Sequence, residues 1–525
     1  MILLLAFSLS IFAFSEASKW ENVTIAVVEY KPILDSSLNE PEIVAKNAQK
    51  YIEIITNVAK DRNLDLIVFP EETLYVHRET AVTIKLDNPC DSDTYPQFLR
   101  NLSCAARSSH TYLALNLVDK VKCDQSQTNS SKNCKNSGFF YYNTDVVFDR
   151  NGTIVNRYHK YNLFGEREMD KPETAEEIVI ETDFGLKLGI FTCFDILFKA
   201  PAQELLKDGI DGAIYPSMWY SELPFLTAMQ TQEMWASRHN TTLLAAGANS
   251  PLVGSGGSGV YRGAQGLVVG GIVAEGGTQV FVYQGDKSVS ETQDVDELAK
   301  KMDAFNLQID NSLENYRWEV VNTSQRNYYN VLCAGDDDNT VCCHYSLTMS
   351  MDAIKPEMKH YTYILVAYAG IRSYTGVYNG GIEVCGVIAC LNSSISSCGQ
   401  RFSNYDEIQW PLTFESIAVS AKFVKSENRT QFPNSLLSSI RPIDSSETYW
   451  VEKEVEVNGT VFEEKQFATN VDQKRLLTFA ILGRNFDLDS PADSDDDDDS
   501  NHSSGNLSAA WILLCCSLLI LCKIK

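Results

Sequence analysis

The chain has 525 residues, 44% of them hydrophobic and 22% charged, which is the balance of a globular protein too long for one ordinary core. Its formal charge of -25 and pI near 4.7 leave no Lys/Arg excess with which to neutralise phosphates, so nucleic acid is excluded as an expected partner.

Residues 1–14 are an apolar run followed by Ser15-Glu16-Ala17-Ser18, which reads as a signal peptide over residues 1–17. Secretory entry agrees with the N-x-S/T sequons at Asn22, Asn101, Asn129, Asn151, Asn240, Asn322, Asn392, Asn428 and Asn458, all candidate glycosylation sites.

Over residues 18–306, β-rich runs alternate with helical stretches. The pattern predicts strands at 23–28, 64–69, 112–118, 144–148, 186–192, 212–215 and 242–246, and helices at 42–59, 202–207 and 225–239. Such alternation implies an α/β layered domain with its chemistry at strand ends. Residues 307–486 change character. Aromatic and β-branched segments at 360–368, 382–388, 416–424 and 476–482 lie between turn-rich, cysteine-bearing stretches, which implies a mostly β, disulfide-rich second domain. The acidic run from Asp487 cannot bury enough surface to order itself, so 487–506 are expected to form a stalk.

The tail 507–525 carries an uncharged stretch from Leu507 to Cys522, short for a membrane helix of about 20 residues. Small and polar residues precede it, which favours a glycosylphosphatidylinositol attachment signal and a membrane partner through a lipid anchor. The terminal Lys523-Ile524-Lys525 also suits the cytoplasmic end of a true membrane helix. In both readings the protein faces outward.

Of fourteen cysteines, three lie in the tail, and the eleven before it cannot all pair. In an oxidising compartment the odd one is an intermolecular bridge or a free thiol with a task. Cys193 is the natural candidate, because no other cysteine lies within fifty residues of it. Cys90 with Cys104 and Cys123 with Cys134 are expected local pairs, and the last six are expected to staple the second domain. No ligand spacing points to a metal, and no cofactor is expected.

Three segments place a reactive side chain after an apolar run: LIVFPEE at Glu71, NRYHKYNLFGE at Lys160 and GIFTCFDILF at Cys193. Singly, each side chain is as easily a turn residue, a surface cation or a buried small hydrophobe. Spacing alone does not decide whether Glu71 or the adjacent Glu72 faces a pocket. His159 should point away from Lys160 on a strand, which removes it as a Cys/His partner. Asp195 and Trp219 are weaker candidates for shaping the pocket.

In that order, Glu, Lys and Cys resemble the pattern of the nitrilase superfamily. YHKYNLF, FGLKLGIFTCFDILF and GSGVY at 257–261 are similar to segments of its vanin and biotinidase branch. The resemblance implies an αββα sandwich for the first domain and a thiol-dependent amidohydrolase. It implies Cys193 as nucleophile, Glu71 as general base and acid because it directly follows Pro70, and Lys160 as oxyanion stabiliser. Glu166 and the backbone N–H of Phe194 are implied accessories. The chemistry fits these residue types, since a thioester intermediate divides a hard amide hydrolysis into two easier steps. A small-molecule amide is the expected substrate, pantetheine ahead of biocytin, with no obligate protein partner. A catalytically silent adhesion or receptor ectodomain is the rival from another class, and a cysteine protease is disfavoured for want of a suitable Cys/His pair.

Overall fold

The computed structural model describes residues 19–123, 137–285, 295–336, 339–457 and 459–491. The expected leader, Asn129, Cys134, Asn458, the tail and the stalk from residue 492 onward lie outside the described residues.

The first domain is an αββα sandwich. One six-stranded sheet orders Gln279–Gln284, Thr24–Glu29, Leu66–Val68, Tyr112–Lys122, Phe139–Phe148 and Ile154–His159. The other orders Leu267–Gly271, Ser258–Arg262, Thr242–Gly247, Gly212–Ser217, Lys187–Ile190 and Val179–Glu181. Central strands pair in parallel and outer ones antiparallel, as in Ile25 opposite Leu66 and Thr24 opposite Gln284. The sequence reason is burial on both faces. Ile25, Val27, Leu66 and Val68 meet Ile190, Ile214 and Leu244 of the facing sheet. Ala26, Val28, Ile67 and Phe69 turn instead to the helix layer. A strand covered on both sides reads as a continuous apolar run, which is why these strands were visible in the sequence.

Helix Glu40–Lys60 begins at Asn39, whose side chain and that of Glu42 cap each other's backbone N–H groups. It buries Val44, Ala48, Tyr51, Ile55 and Val58 at helical spacing. Helix Gln97–Ser109 was not anticipated; Leu99, Leu102, Ala105 and Ala106 are buried, and Cys90–Cys104 fastens it to the preceding loop. The helix expected at 202–207 is replaced by the wide turn Lys199–Gln203 and the tight turn Glu204–Asp208. Ala200 is extended because Pro201 follows it, and that breaks the helical path.

The second domain is a sandwich of two five-stranded antiparallel sheets. One contains Arg317–Val320, Thr362–Tyr374, Tyr378–Cys390, Leu476–Pro491 and Arg429–Leu437 in that order. The other contains Asn327–Ala334, Val341–Met351, Leu412–Val424, Thr460–Thr469 and Thr448–Val457. The first of these sheets is buried on both faces. Leu365 and Ala367 enter the sandwich core. Ile364 and Val366 face outward into an apolar cluster that also holds Tyr215, Trp235 and Leu243 of the first domain. Cys343–Cys385 joins the two sheets, with Cys333–Cys342 and Cys390–Cys398 beside it, so the last six ectodomain cysteines do staple this domain. Cys123 is also disulfide-bonded. The last strand runs on to Pro491, so residues 487–491 are strand rather than the expected stalk; pairing with Tyr378 and Asn379 supplies the order that their composition does not.

Replacing Cys343 and Cys385 by alanine should cost about 2–5 kcal/mol. Thermal unfolding of that double variant is expected to show a clearly lowered midpoint, and an unchanged midpoint would deny the bridge its role.

Candidate active site

The three motif residues stand where strands end. Glu71 follows Leu66–Val68, Lys160 follows Ile154–His159 and Cys193 follows Lys187–Ile190. Glu71 and Lys160 belong to one sheet and Cys193 to the other, so packing the sheets face to face is what brings them together.

Lys160 Nζ donates to Glu71 Oε1 at 2.7 Å and to Glu166 Oε1 at 2.6 Å, with its side chain 1% exposed. Burial alone would lower the pKa of this ammonium. The adjacent Glu166 and Glu71 outweigh that penalty and hold it well above its ordinary value. Glu71 Oε1 also accepts from Asn143 Nδ2 at 2.8 Å, and Oε2 accepts from the backbone N–H of Met218 at 2.9 Å. Cys193 Sγ lies 3.7 Å from the carbonyl oxygen of the same Met218. Burial pushes the Cys193 thiol up, Glu71 adds to the shift and Lys160 opposes it. This environment favours the thiol over the thiolate.

Cys193 has φ +47°, the left-handed region that costs a residue with a Cβ. It opens the short turn Cys193–Leu197, with Phe194 next, where backbone N–H groups have no intrahelical acceptor. Asp195 pins this turn. Its carboxylate accepts from Thr192 N at 3.0 Å, Tyr158 Oη at 2.7 Å, and Asn162 N and Nδ2, both at 2.8 Å. Tyr158 and Asn162 flank Lys160, so Asp195 ties the Cys193 turn to the lysine's loop. Trp219 is buried, and its Nε1 donates to Leu226 O at 2.8 Å, which closes the segment that carries Met218.

Glu71, not Glu72, reaches Lys160. Glu72 takes φ +57°, and its N–H donates to Asn116 Oδ1 at 3.0 Å. Burial, then Glu71 and Glu166, push its carboxyl up to about 8. His159 turns to Asp119 at 3.1 Å and Glu176 at 3.5 Å, away from the cluster, as strand alternation requires. Of the described sequons, Asn22, Asn101, Asn151, Asn240, Asn322 and Asn392 are exposed. Asn428 is half-buried, held by Lys199 at 3.1 Å and Asp487 at 2.7 Å.

Sequence reasoning missed the polar layer beneath these groups. Asn116 Nδ2 donates to Asn143 Oδ1 at 2.7 Å and Asp145 Oδ1 at 2.8 Å, and Thr192 Oγ1 donates to Asp145 Oδ2 at 2.6 Å. One signal was available: Asn116 interrupts an apolar strand, and a polar residue in a buried run is itself informative.

Residues 24–250 match the carbon–nitrogen hydrolase family, and residues 305–489 match the vanin C-terminal domain. Vanin-like protein 1 of Drosophila melanogaster is 32% identical over 88% of this chain and 86% of its own length. Pantetheinase of Homo sapiens is 28% identical over 91% of this chain and 92% of its own. Biotinidase of Bos taurus is 30% identical over 69% and 75% respectively. The fold and the matched families define a carbon–nitrogen hydrolase acting on non-peptide amides. The chain belongs to the vanin and biotinidase branch of the nitrilase superfamily, whose chemistry is thiol-dependent amide hydrolysis. Its disulfides fit an extracellular protein.

Burial raises Glu72 to about 8, Asp145 to about 7 and Asp195 to about 6. A carboxyl whose folded pKa is raised keeps its proton after the unfolded chain has ionised, so its stabilising effect is lost as pH rises toward the folded value. The unfolding midpoint is expected to fall between about pH 5 and pH 8, and Glu72→Gln should flatten that fall. A slope unaltered by Glu72→Gln would contradict the assignment.

Proposed function

We propose that the protein hydrolyses pantetheine to pantothenate and cysteamine, with Cys193 as nucleophile, Glu71 as general base and acid, and Lys160 as the principal oxyanion stabiliser. The observation that carries this reading is the placement of one carboxylate, Glu71, in contact with Lys160 and the Met218 N–H, while Cys193 Sγ lies 3.7 Å from the carbonyl oxygen of the same Met218.

As Cys193 Sγ attacks the acyl carbon, Glu71 takes the thiol proton. An ammonium has three N–H donors. Glu71 and Glu166 occupy two on Lys160, which leaves the third for the developing oxyanion, alongside the backbone N–H of Phe194. Glu71 then passes its proton to the amine nitrogen as the C–N bond breaks, leaving an acyl thioester on Cys193. Water, losing a proton to Glu71, attacks that thioester. The acid departs and the thiolate regains its proton.

Two observations favour pantetheine over biocytin. The likeness to human pantetheinase spans nearly the whole of both chains, whereas that to bovine biotinidase leaves about a quarter of the relative unmatched. The tail at 507–525 also has the composition of a lipid-anchor signal. In this reading residues 18–306 form the catalytic domain, the second domain begins at 307 and includes the strand that ends at Pro491, and the protein stands on the outer face of the cell membrane. Release of cell-surface protein by phosphatidylinositol-specific phospholipase C tests the anchor, and retention would favour a membrane helix.

Purified ectodomain should release thiol from pantetheine, and Cys193→Ala or Glu71→Gln should lower kcat at least about a thousandfold. Turnover of biocytin alone would move the assignment to that substrate, and silence with both would remove both.

A further inference from the structure

The last strand of the second domain pairs regularly with Tyr378–Cys390 as far as Asn485 and resumes at Ser490, so residues 486–489 lie opposite Gly380 alone. A bulge of this kind bends the strand and re-aims its side chains. Here it turns the Asp489 carboxylate back onto Arg484 Nη2, at 2.6 and 2.7 Å, and onto the N–H of Gly381 at 3.0 Å. The fit is close: a Cβ at Gly380 would lie 2.8 Å from the Tyr374 ring and 3.0 Å from the Arg484 guanidinium.

What this ion pair holds belongs to the other domain. Arg484, 1% exposed, donates from Nη1 to Leu197 O at 2.7 Å. Leu197 is the last residue of the turn that Cys193 opens. The Tyr378 ring packs on Phe198 at 5.1 Å and on Phe194 at 6.3 Å, and Tyr374 packs on Phe194 at 5.4 Å. A five-residue turn with tight hydrogen-bond geometry and a left-handed first residue does not hold itself; its surroundings must impose it.

We propose that Asp489 is a positioning residue for the hydrolytic reaction: through Arg484 it fixes the turn Cys193–Leu197 from the second domain, and so sets the direction of the Cys193 thiol. The inference rests on Cys193 being the nucleophile. A buried guanidinium stripped of its carboxylate is unstable where it stands. Without Asp489, Arg484 relaxes toward water and releases Leu197 O. Composition assigns residues from 487 onward to a stalk, so a soluble form cut at that boundary discards the residue that steadies the nucleophile.

The test is made on the full chain with Asp489→Asn, which keeps the shape and removes the charge. Asp487→Asn, in the same bulge but bonded to Asn428, is the control. Asp489→Asn is expected to lower kcat about tenfold with KM within about twofold, and to change the pH profile of Cys193 alkylation by iodoacetamide. Asp487→Asn should leave both unchanged. Arg484→Lys should retain more activity than Arg484→Gln; if Arg484→Gln does not fold, Asp489→Asn decides. Wild-type kcat and alkylation in Asp489→Asn, or an equal loss in Asp487→Asn, overturns the proposal. An active Cys193→Ala would instead overturn the nucleophile reading, whereas an inactive Cys193→Ala with a fully active Asp489→Asn would overturn only the positioning role.

Discussion

The buried ammonium of Lys160 is the constraint from which the rest of the site follows. A cation taken out of water is tolerated only when paired and fully hydrogen-bonded. Glu71 and Glu166 supply the paired charge from separate segments and take two of the three N–H donors. Their negative charges must then be contained in turn. Asn143 and the Met218 N–H bind Glu71, and Asn116 orients Asn143 while bonding Asp145. One lysine thus dictates a polar layer several residues deep at the junction of two otherwise apolar sheets. The same layer supplies the chemistry, since the carboxylate that neutralises the lysine also faces the thiol.

The thiol's environment shows how two effects compete at one atom. Burial and the Glu71 charge disfavour the thiolate, while Lys160 favours it, and the balance leaves a protonated sulfur. A permanently ionised thiolate would need no base but would be a weaker nucleophile. In the proposed reaction this thiol keeps its proton until attack and then passes it to Glu71.

The second domain is more than an appended sandwich. Its inner sheet packs against helix Ala228–His239 of the hydrolase domain, and polar contacts cross the boundary from Arg372 to Glu222, Thr478 to Pro224 and Asn434 to Phe225. Arg372 is itself a buried cation answered by Glu222 and Asp310, so this interface repeats the solution used around Lys160. An interface of buried ion pairs and interlocked apolar faces does not slide freely. The turn that carries Cys193 is therefore held from both domains, by Asp195 on one side and Arg484 on the other.

Much of this was legible in the sequence, for definite reasons. Strands buried on both faces announce themselves as apolar runs, the capped amphipathic helix by its spacing, and the free cysteine by parity. Glu71 and Cys193 stood out because each follows such a run, and Lys160 because it directly follows the polar strand before YNLF. What stayed hidden was long-range. Asn116, Asn143 and Asp145 acquire meaning only when strands distant in sequence pair, and helix Gln97–Ser109 takes its place against the sheet and the Cys90 loop. The choice between Glu71 and Glu72 depended on a single left-handed residue that turns the second carboxyl aside. Asp487 to Ser490 read as stalk because composition measures what a segment can bury by itself. Their order comes from a neighbouring strand and from Arg484, contacts between residues that local sequence does not bring together.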